Sequence, residues 1–259
     1  MSRPRVSKLT HAPLARLISK LGIASRTQAA ELIRAGRVTV EGQLISDPHF
    51  WAQQSAVIQI DGRPTNAAPS ALRVLMMHKK RGLVTARVDR NHKVVCDHPN
   101  IVGTNLNPVG RLDRSSEGLL LFTSDALLAN AISSPESHID KTYYVRTQRP
   151  LVAYEYSALS SGEIDLDGEL TLPSDWTSMA VNRNDNWCRV VLREGKNRQI
   201  RRMLDVLGVR VQRLIRVGIG PLELGDLPRG HVRELAEDEV GRLKEAVRWD
   251  REVGSHDEI

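Results

Sequence analysis

The order of short apolar segments along the chain limits its fold more than any other feature of the sequence. Strand-like and helix-like segments follow one another without the regular alternation that builds a doubly wound parallel sheet. Helical spacing occurs at 125–133, 198–207 and 235–248. The strand-like segments in the same part of the chain are Val74–Met77, Leu119–Phe122, Tyr143–Val145 and Cys188–Leu192. The sequence therefore predicts an α+β fold with a mixed, mainly antiparallel sheet flanked by helices.

The first 62 residues predict a smaller domain of two helices and a small sheet. Helical spacing begins at Leu14 and ends at Gly22. A capping-box pattern at Ser25–Gln28 opens a second helix, which ends at Gly36. Alternating apolar residues between 38 and 60 then indicate short strands separated by tight turns.

A polar stretch rich in Pro, Asn and Ser, at 63–70, separates these two regions. Stretches of this composition are typical of linkers. We therefore predict a helix–helix–sheet domain at 12–62, a linker at 63–71, a larger sheet domain at 72–250 and a disordered tail at 251–259.

Composition excludes several classes of protein. No apolar run approaches the roughly 20 residues that cross a bilayer. The N-terminal residues lack the apolar region of a secretory signal, which predicts a cytoplasmic location. Cys96 and Cys188 are the two cysteines and belong to no Cys/His cluster, so a disulfide framework and a zinc site are both disfavoured. Few aromatic residues are present, which disfavours single-strand binding by base stacking.

The net charge of +6 is distributed unevenly. Residues 1–50 hold eight Lys or Arg against three acids, residues 71–93 seven against one, and residues 193–216 eight against two. The rest of the chain is therefore acidic. Such segregation favours a surface that binds a polyanion such as RNA, and solvated helix faces are the alternative explanation.

Two segments combine charged residues with a glycine turn. In Gly110–Asp125, Asp113 lies between Arg111 and Arg114, whose charges favour an ionised carboxylate of the kind that acts as a nucleophile. A structural Asp–Arg ion pair or a turn cap explains the same spacing. In Leu192–Leu204, a strand end leads into a helix start rich in cations, which is typical of a phosphate site or of a solvated basic helix.

The segment Lys141–Val145 places Tyr143 and Tyr144 in a predicted strand, where one of them must face inward. A tyrosine in a strand is more often a core residue than a catalytic one.

Three motifs in a fixed order resemble those of ribosomal RNA pseudouridine synthases of the RsuA type. They are Gly-Arg-Leu-Asp-x-x-Ser-x-Gly-Leu-Leu at 110–120, Lys-x-Tyr-x-Val at 141–145 and Glu-Gly-Lys-Asn-Arg-Gln-Ile-Arg-Arg-Met at 194–203. The segment His78–Gly82 is similar to the family's opening motif, with Lys79 and Gly82 retained. Residues 21–43 resemble the alpha-L RNA-binding domain named after ribosomal protein S-four.

This resemblance implies an enzyme that isomerises a uridine without a cofactor or a metal. It implies that Asp113 is the catalytic carboxylate, that Tyr143 packs on the target uracil, and that Arg201 is the ion-pair partner of Asp113. The cations that it places against RNA are Arg16, Lys20, Arg26, Arg34, Arg37, Lys79, Arg111, Arg114, Lys196, Arg198 and Arg202.

The expected partner is ribosomal RNA, bound by a monomer in the cytoplasm, with no membrane partner. Two alternatives remain open at this point. One is a non-catalytic RNA-binding or ribosome-assembly factor that kept the scaffold of the enzyme. The other is a synthase that acts on transfer RNA.

Overall fold

The computed structural model describes residues 11–20, 23–24, 26–53, 55–65, 72–179 and 186–247, with only the backbone of Lys20. These residues divide into two compact units. The first ends at Arg73 and includes Ser124–Leu127, and the second contains the remaining residues from Val74 onward. Helices and a mixed sheet occur together in the second unit, which confirms the predicted α+β class.

The first unit contains the two predicted helices, α1 (Leu14–Lys20) and α2 (Arg26–Arg34). α2 is followed by Gly36, which has a φ of 66°. The Gly36 amide donates to the carbonyl of Ile33 at 3.0 Å, and the amide of Arg37 donates to the carbonyl of Leu32 at 3.1 Å. This ending favours glycine, because a side chain is strained at positive φ. The predicted stop at Gly22 and the capping serine at position 25 lie outside the described residues.

Two small antiparallel sheets complete this unit. The strands are β1 (His11–Pro13), β2 (Val38–Val40), β3 (Gln43–Ile45), β4 (Trp51–Gln53), β5 (Ile58–Ile60) and β6 (Arg63–Pro64). β1 pairs with β4, and the other four lie in the order β3-β2-β5-β6. Buried apolar residues of both helices and of the strands form a single core.

Residues 63 and 64, which the sequence assigned to the linker, form β6 instead. Ile60 lies opposite Arg63 across a turn at Asp61-Gly62, so the pairing of β5 continues past the turn. The amide of Thr65 donates to the carbonyl of Ile58 at 2.7 Å and so continues the hydrogen bonding of β6 with β5. The remainder of the predicted linker, at 66–71, lies outside the described residues.

The second unit is built on a nine-stranded sheet. Its central strands lie in the order β11-β12-β10-β13-β9-β7-β15, with β14 paired to β13 and β8 paired to β9. The strands are β7 (Val74–Lys79), β8 (Asn107–Val109), β9 (Glu117–Thr123), β10 (Lys141–Thr147), β11 (Asp175–Ser178), β12 (Trp187–Leu192), β13 (Val211–Ile219), β14 (Leu222–Glu223) and β15 (Val232–Glu234). The helices are α3 (Ala126–Ser133), α4 (Ala153–Ser160), α5 (Gln199–Val206) and α6 (Glu237–Ala246).

Each half of this sheet has its own core. One core joins the apolar residues of β10, β12 and β13 to those of α4 and α5. The other joins β7 and β9 to the irregular segment between 83 and 112. β9 is buried along its whole length, which explains the unbroken apolar run that predicted it.

β9 and β13 form the one parallel pair among the described strands, and a glycine permits their close approach. Gly118 lies opposite Arg216 in this pair and has a φ of 107°. A Cβ atom at Gly118 would lie 2.1 Å from the carbonyl oxygen of Arg216. The glycine of the Gly-Leu-Leu motif is therefore required for β9 to lie beside β13.

The strands and helices predicted in the second unit are confirmed, with shifted ends. β13 and α4 were not predicted, and β13 is the strand that joins the two halves of the sheet. The predicted tail at 251–259 lies outside the described residues.

Candidate active site

Asp113 lies in the loop between β8 and β9, and buried side chains hold the backbone of that loop. Thr85 Oγ1 donates to the carbonyl of Leu112 at 2.7 Å and accepts from its amide at 3.2 Å. Lys79 Nζ donates to the carbonyls of Asp113 at 3.0 Å and Ser116 at 2.8 Å. These bonds fix the backbone and leave the Asp113 carboxylate, 32% exposed, available for a ligand.

Lys79 is not a surface cation, so its predicted contact with RNA is wrong. Its side chain is fully buried, and Nζ also donates to the carbonyl of Lys80 at 3.2 Å. Burial lowers the pKa of Lys79 to about 8, and the nearby carboxylates of Asp113 and Glu117 oppose this effect. Three carbonyls use the three donors of the ammonium group, so Lys79 acts as an internal support for the Asp113 loop.

A cavity of about 180 Å³ opens beside this loop. Asp113, Ser116 and Tyr143 all line this cavity. Its volume is well below the roughly 300–1,000 Å³ of pockets for drug-sized molecules, which suits a single ring better than a whole nucleotide. The residues that line the cavity also include Arg111, Lys141, Lys196, Arg198, Leu214 and Arg216.

β10 and β13 supply one face of this cavity. Tyr143 lies directly opposite Arg216 across the antiparallel pair, and Leu214 and Lys141 lie on the same face. Side chains of directly opposed residues in such a pair are in contact range. The half-buried Tyr143 thus stands next to a buried cation on one side and borders an open space on the other.

Arg198, and not Arg201, forms the ion pair with Asp113. Arg198 Nη1 lies 3.6 Å from Asp113 Oδ2. Arg201 instead donates from Nη2 to the carbonyl of Ser115 at 3.2 Å, and its buried Nε has no partner among the described residues. Burial lowers the pKa of Arg201, and the charge of Arg198 lowers it further. The predicted direct pair of Arg201 with Asp113 is therefore wrong for this structure, and Arg201 braces the backbone of the Asp113 loop.

The turn before α5 brings Arg198 to the cavity. Arg198 has a φ of 49°, which is uncommon for a residue with a side chain. Gln199 Oε1 accepts from the Lys196 amide at 3.1 Å, and Glu194 Oε1 accepts from the Leu172 amide at 2.8 Å. These contacts hold the turn, so the strained backbone of Arg198 is maintained by its surroundings.

The other predicted RNA-binding cations differ in whether they already have an acidic partner. Arg37 is bonded to Asp61, with Nε 2.8 Å from Oδ1. Lys196 lies 3.1 Å from Glu169 and Arg202 lies 2.6 Å from Asp167, both in the second unit. The exposed cations for which no acidic partner is found among the described residues are Arg16, Arg26, Arg34, Arg111 and Arg114. The side chain of Lys20 is outside the described part of the chain.

Lys141 and Arg216 line the cavity but were not predicted as site residues. Arg216 is buried, and burial together with the charge of Arg216 lowers the pKa of Lys141. Arg216 was missed because β13 was not predicted, so the sequence did not show that this cation occupies an inward position of a strand.

The described residues contain no cluster of three or more His, Cys, Asp or Glu side chains arranged to hold a metal ion. Within the same ranges, no helix has the length and apolar character needed to cross a membrane.

Comparison with known proteins places this geometry in a family. The family model described as RNA pseudouridylate synthase matches residues 73–205, and the S4 domain model matches residues 13–58. A protein of Rickettsia typhi called an uncharacterized RNA pseudouridine synthase is 34% identical over 86% of this chain and 91% of its own length. Ribosomal large subunit pseudouridine synthase B of Bacillus subtilis is 32% identical over 89% of this chain and 95% of its own.

A solved structure supports the same assignment. A crystal structure described as pseudouridylate synthase superposes with a TM-score of 0.64 at 26% sequence identity, covering 89% of this chain and 98% of the other. The resemblance inferred from the three motifs is therefore confirmed. The chain belongs to the RNA pseudouridine synthase family and carries an S4 domain before its synthase region.

Proposed function

We propose that the protein converts a uridine of structured RNA into pseudouridine and that Asp113 is the catalytic carboxylate. The observation that carries this proposal is a ring-sized cavity lined by both Asp113 and Tyr143. Asp113 is the one carboxylate among the residues that line it. Its backbone is fixed by buried donors, so a nucleophile is held at a defined place beside the bound base.

The chemistry suits a carboxylate and a closed pocket. Isomerisation breaks the bond between ribose C1′ and N1 of uracil and forms a bond between C1′ and C5. The proton on C5 is lost and N1 gains one, so the product has the same atoms as the substrate. A carboxylate nucleophile divides this reaction into two easier steps, and the balance needs no cofactor.

The target base must leave its helix to reach the cavity. Enzymes that act on a base commonly flip it out and pack it against an aromatic side chain. Tyr143 provides that surface, and the exposed Arg111 and Arg198 at the cavity contact the flanking phosphates. Arg201 keeps a supporting role through its bond to the backbone next to Asp113.

Ribosomal RNA is the proposed substrate. Two of the similar proteins, from Bacillus subtilis and Haemophilus influenzae, are named ribosomal large subunit pseudouridine synthase B. The S4 domain supports a structured RNA partner. We further propose that the protein acts as a monomer in the cytoplasm.

The decisive test is an Asp113→Asn variant assayed on ribosomal RNA from a strain that lacks the gene. We expect pseudouridine formation to fall on the order of 10³-fold or more, because the amide cannot act as the nucleophile. Carbodiimide treatment followed by primer extension locates pseudouridine at single-nucleotide resolution. Asp175→Asn is the matched control, because Asp175 is an exposed carboxylate on β11 outside the cavity.

The same map separates the alternatives. Pseudouridine formed at normal rates by Asp113→Asn would refute the catalytic assignment. Unchanged pseudouridine in the deletion strain, together with altered ribosomal subunit profiles, would instead identify an assembly factor. If the deletion strain lacks a pseudouridine in transfer RNA and none in ribosomal RNA, the substrate is a transfer RNA.

A further inference from the structure

The cavity is lined by a buried cation, Arg216, whose hydrogen-bonding capacity is only partly used. Arg216 is 5% exposed, and its Nε donates to the carbonyl of Leu119 at 2.8 Å. Its Nη2 is buried and has no partner among the described residues. A buried charged donor that has no acceptor destabilises the protein. Because Arg216 also lines the cavity, a ligand there can supply the acceptor that the protein lacks.

A second cation strengthens the positive potential at this place. Lys141 lines the same cavity on the neighbouring strand, and the charge of Arg216 lowers its pKa after the larger effect of burial. Lys141 Nζ has only the carbonyl of Ile139, at 3.2 Å, as a protein acceptor among the described residues. Lys141 and Arg216 therefore both line a cavity that has a single carboxylate among its lining residues.

The position of Arg216 indicates which acceptor it binds. A phosphate within an RNA chain carries a nucleotide on each side, so its partners are cations on the surface. Arg111 and Arg198 are exposed and suit that role, whereas Arg216 is covered by the sheet. Arg216 lies directly opposite Tyr143, against whose ring the flipped base is proposed to pack. The acceptor within reach of a base at Tyr143 is a carbonyl oxygen of uracil.

We propose that Arg216, assisted by Lys141, donates to a carbonyl oxygen of the flipped uracil and stabilises the negative charge that develops on the base. This inference rests on the proposed function and assigns the cavity a charge-stabilising group in addition to its nucleophile. Donors placed where charge develops are among the largest contributions to catalysis.

The charge on the base follows from the bonds that change. If Asp113 attacks C1′, its carboxylate displaces N1, and the electron pair of the C1′–N1 bond goes to the uracil, which becomes an anion delocalised over N1 and the carbonyl oxygens. C5 then attacks C1′ and displaces the Asp113 carboxylate, the C5 proton leaves, and N1 takes up a proton. If Asp113 instead adds to C6 of the ring, the electron pair of the C5–C6 double bond moves toward a carbonyl oxygen, and the bond to Asp113 breaks when the C5 proton leaves. In both sequences Arg216 meets an oxygen with growing negative charge.

The test compares Arg216→Met with the wild type in single-turnover reactions at saturating RNA. Two substrates are used: the uridine RNA and the same RNA with 5-fluorouridine at the target position. Fluorine at C5 withdraws electrons and stabilises the anionic base without help from the protein. We expect Arg216→Met to consume uridine on the order of 10²–10³-fold more slowly than the wild type. The loss on 5-fluorouridine should be at least about tenfold smaller.

Two further variants keep the result interpretable. Arg216→Lys retains the charge and should recover part of the lost rate. Arg189→Met, on β12, replaces an exposed arginine outside the cavity and should change neither rate. Consumption is followed by nuclease digestion and chromatography of the nucleosides, and thermal unfolding shows whether each variant is folded.

The outcomes distinguish this inference from its alternatives. Equal losses on the two substrates would overturn it and leave Arg216 a structural role through Leu119. Weaker RNA binding with a salt dependence reduced by about 0.7–0.9 in logarithmic slope would also overturn it, since that loss is typical of a phosphate contact. If Arg216→Met does not fold, Arg216→Lys must show the smaller loss on 5-fluorouridine, and equal losses for it would refute the inference. Failure of the wild type to form pseudouridine in any RNA would refute the proposed function itself.

Discussion

At the scale of single residues, burial separates two kinds of cation that the sequence could not distinguish. Lys79 and Arg198 both belong to basic motifs, yet one is fully buried beneath the Asp113 loop and the other is half-exposed beside its carboxylate. Charge and motif predicted that both contact RNA. The difference depends on three carbonyls brought together around Lys79 by the fold, and no local pattern encodes that arrangement.

Replacing Lys79 should therefore damage the fold and the catalytic rate while leaving RNA binding intact. We expect Lys79→Met to lower the free energy of unfolding by about 2 kcal/mol or more, because three carbonyls lose their donor and the bond to Ser116 is buried. The single-turnover rate should fall as the Asp113 loop loosens. Denaturant unfolding and RNA-binding titrations at several salt concentrations measure the two effects.

Lys93→Met is the control for this change, because Lys93 is an exposed lysine outside the cavity. Its free energy of unfolding should match that of the wild type. If Lys79→Met reduced the salt dependence of RNA binding, this result would contradict the internal position of the Lys79 side chain.

At the scale of elements, the helices and strands with uninterrupted apolar patterns were predictable and β13 was not. β9 was identified because its sequence is continuously apolar from Leu119 to Phe122, which matches its burial along the whole strand. β13 carries Arg213 and Arg216, which obscure its alternation. Arg213 is accommodated by Glu117, at 2.8 Å, and Arg216 by the carbonyl of Leu119. These partners are almost 100 residues away in the chain, so the burial of the two cations depends on tertiary contacts that the sequence pattern does not show.

The arrangement of the strands also explains why Asp113 and Tyr143, which were assigned from motifs, lie close together. The motifs named the residues, and the structure supplies the reason for their proximity: β9 and β10 both flank β13. Gly118 permits β9 to pair with β13, and the register that places Tyr143 opposite Arg216 defines the pairing of β10 with β13. Neither relation can be derived from spacing along the chain.

The hydrogen bonds of Glu239 at the start of α6 predict that the stability of the protein depends on pH. Glu239 accepts from Arg233 through both oxygens, each at 2.7 Å, and from the amide of Ala236 at 2.9 Å. These bonds lower the pKa of Glu239 to about 2 from an ordinary value of 4.5, the bond to Arg233 being the largest cause. The unfolded chain therefore binds more protons than the folded protein between these two values, so this stabilisation is complete above pH 4.5 and is lost as the pH falls toward 2.

Glu239→Gln should lower the free energy of unfolding at pH 7 by about 1–2 kcal/mol, a value reduced because Arg233 is partly exposed. The difference from the wild type should shrink as the pH falls below 4.5. Thermal unfolding between pH 7 and pH 2 measures it. Glu245→Gln, an exposed change in the same helix, should show no such trend. A difference that stays constant down to pH 2 would contradict the lowered pKa.

At the scale of the whole molecule, the net charge of +6 is the small remainder of basic regions and acidic ones. The fold assigns those regions to different tasks. The block at 193–216 contributes the turn of Arg198 and strand β13 to the cavity, while the block at 71–93 contains the buried Lys79. No residue of the first unit is among those that line the cavity beside Asp113, and helix α2 of that unit begins and ends with exposed arginines. We therefore expect RNA binding by the first unit to be separable from the chemical step in the second.

Arg26 and Arg34, at the two ends of α2, provide the test of that separation. Both are exposed, and no acidic partner is found for either among the described residues, so phosphate contact is open to them. We expect the double change Arg26→Ala with Arg34→Ala to weaken RNA binding and to reduce its logarithmic salt slope by about 1.5, for two lost contacts. The single-turnover rate at saturating RNA should stay at the wild-type value, because neither residue lines the cavity.

The control for the double change is Arg242→Ala, which removes an exposed arginine that is already paired with Asp238 in α6. Its effect on the salt slope should be negligible, because the first turn of α6 carries three acidic residues, which disfavour contact with a polyanion. Phosphate contacts position an RNA without acting on the base, so affinity and rate must respond independently if the two units divide the work. A double variant that binds normally but reacts slowly at saturation would reverse this assignment and place the first unit in the chemical step.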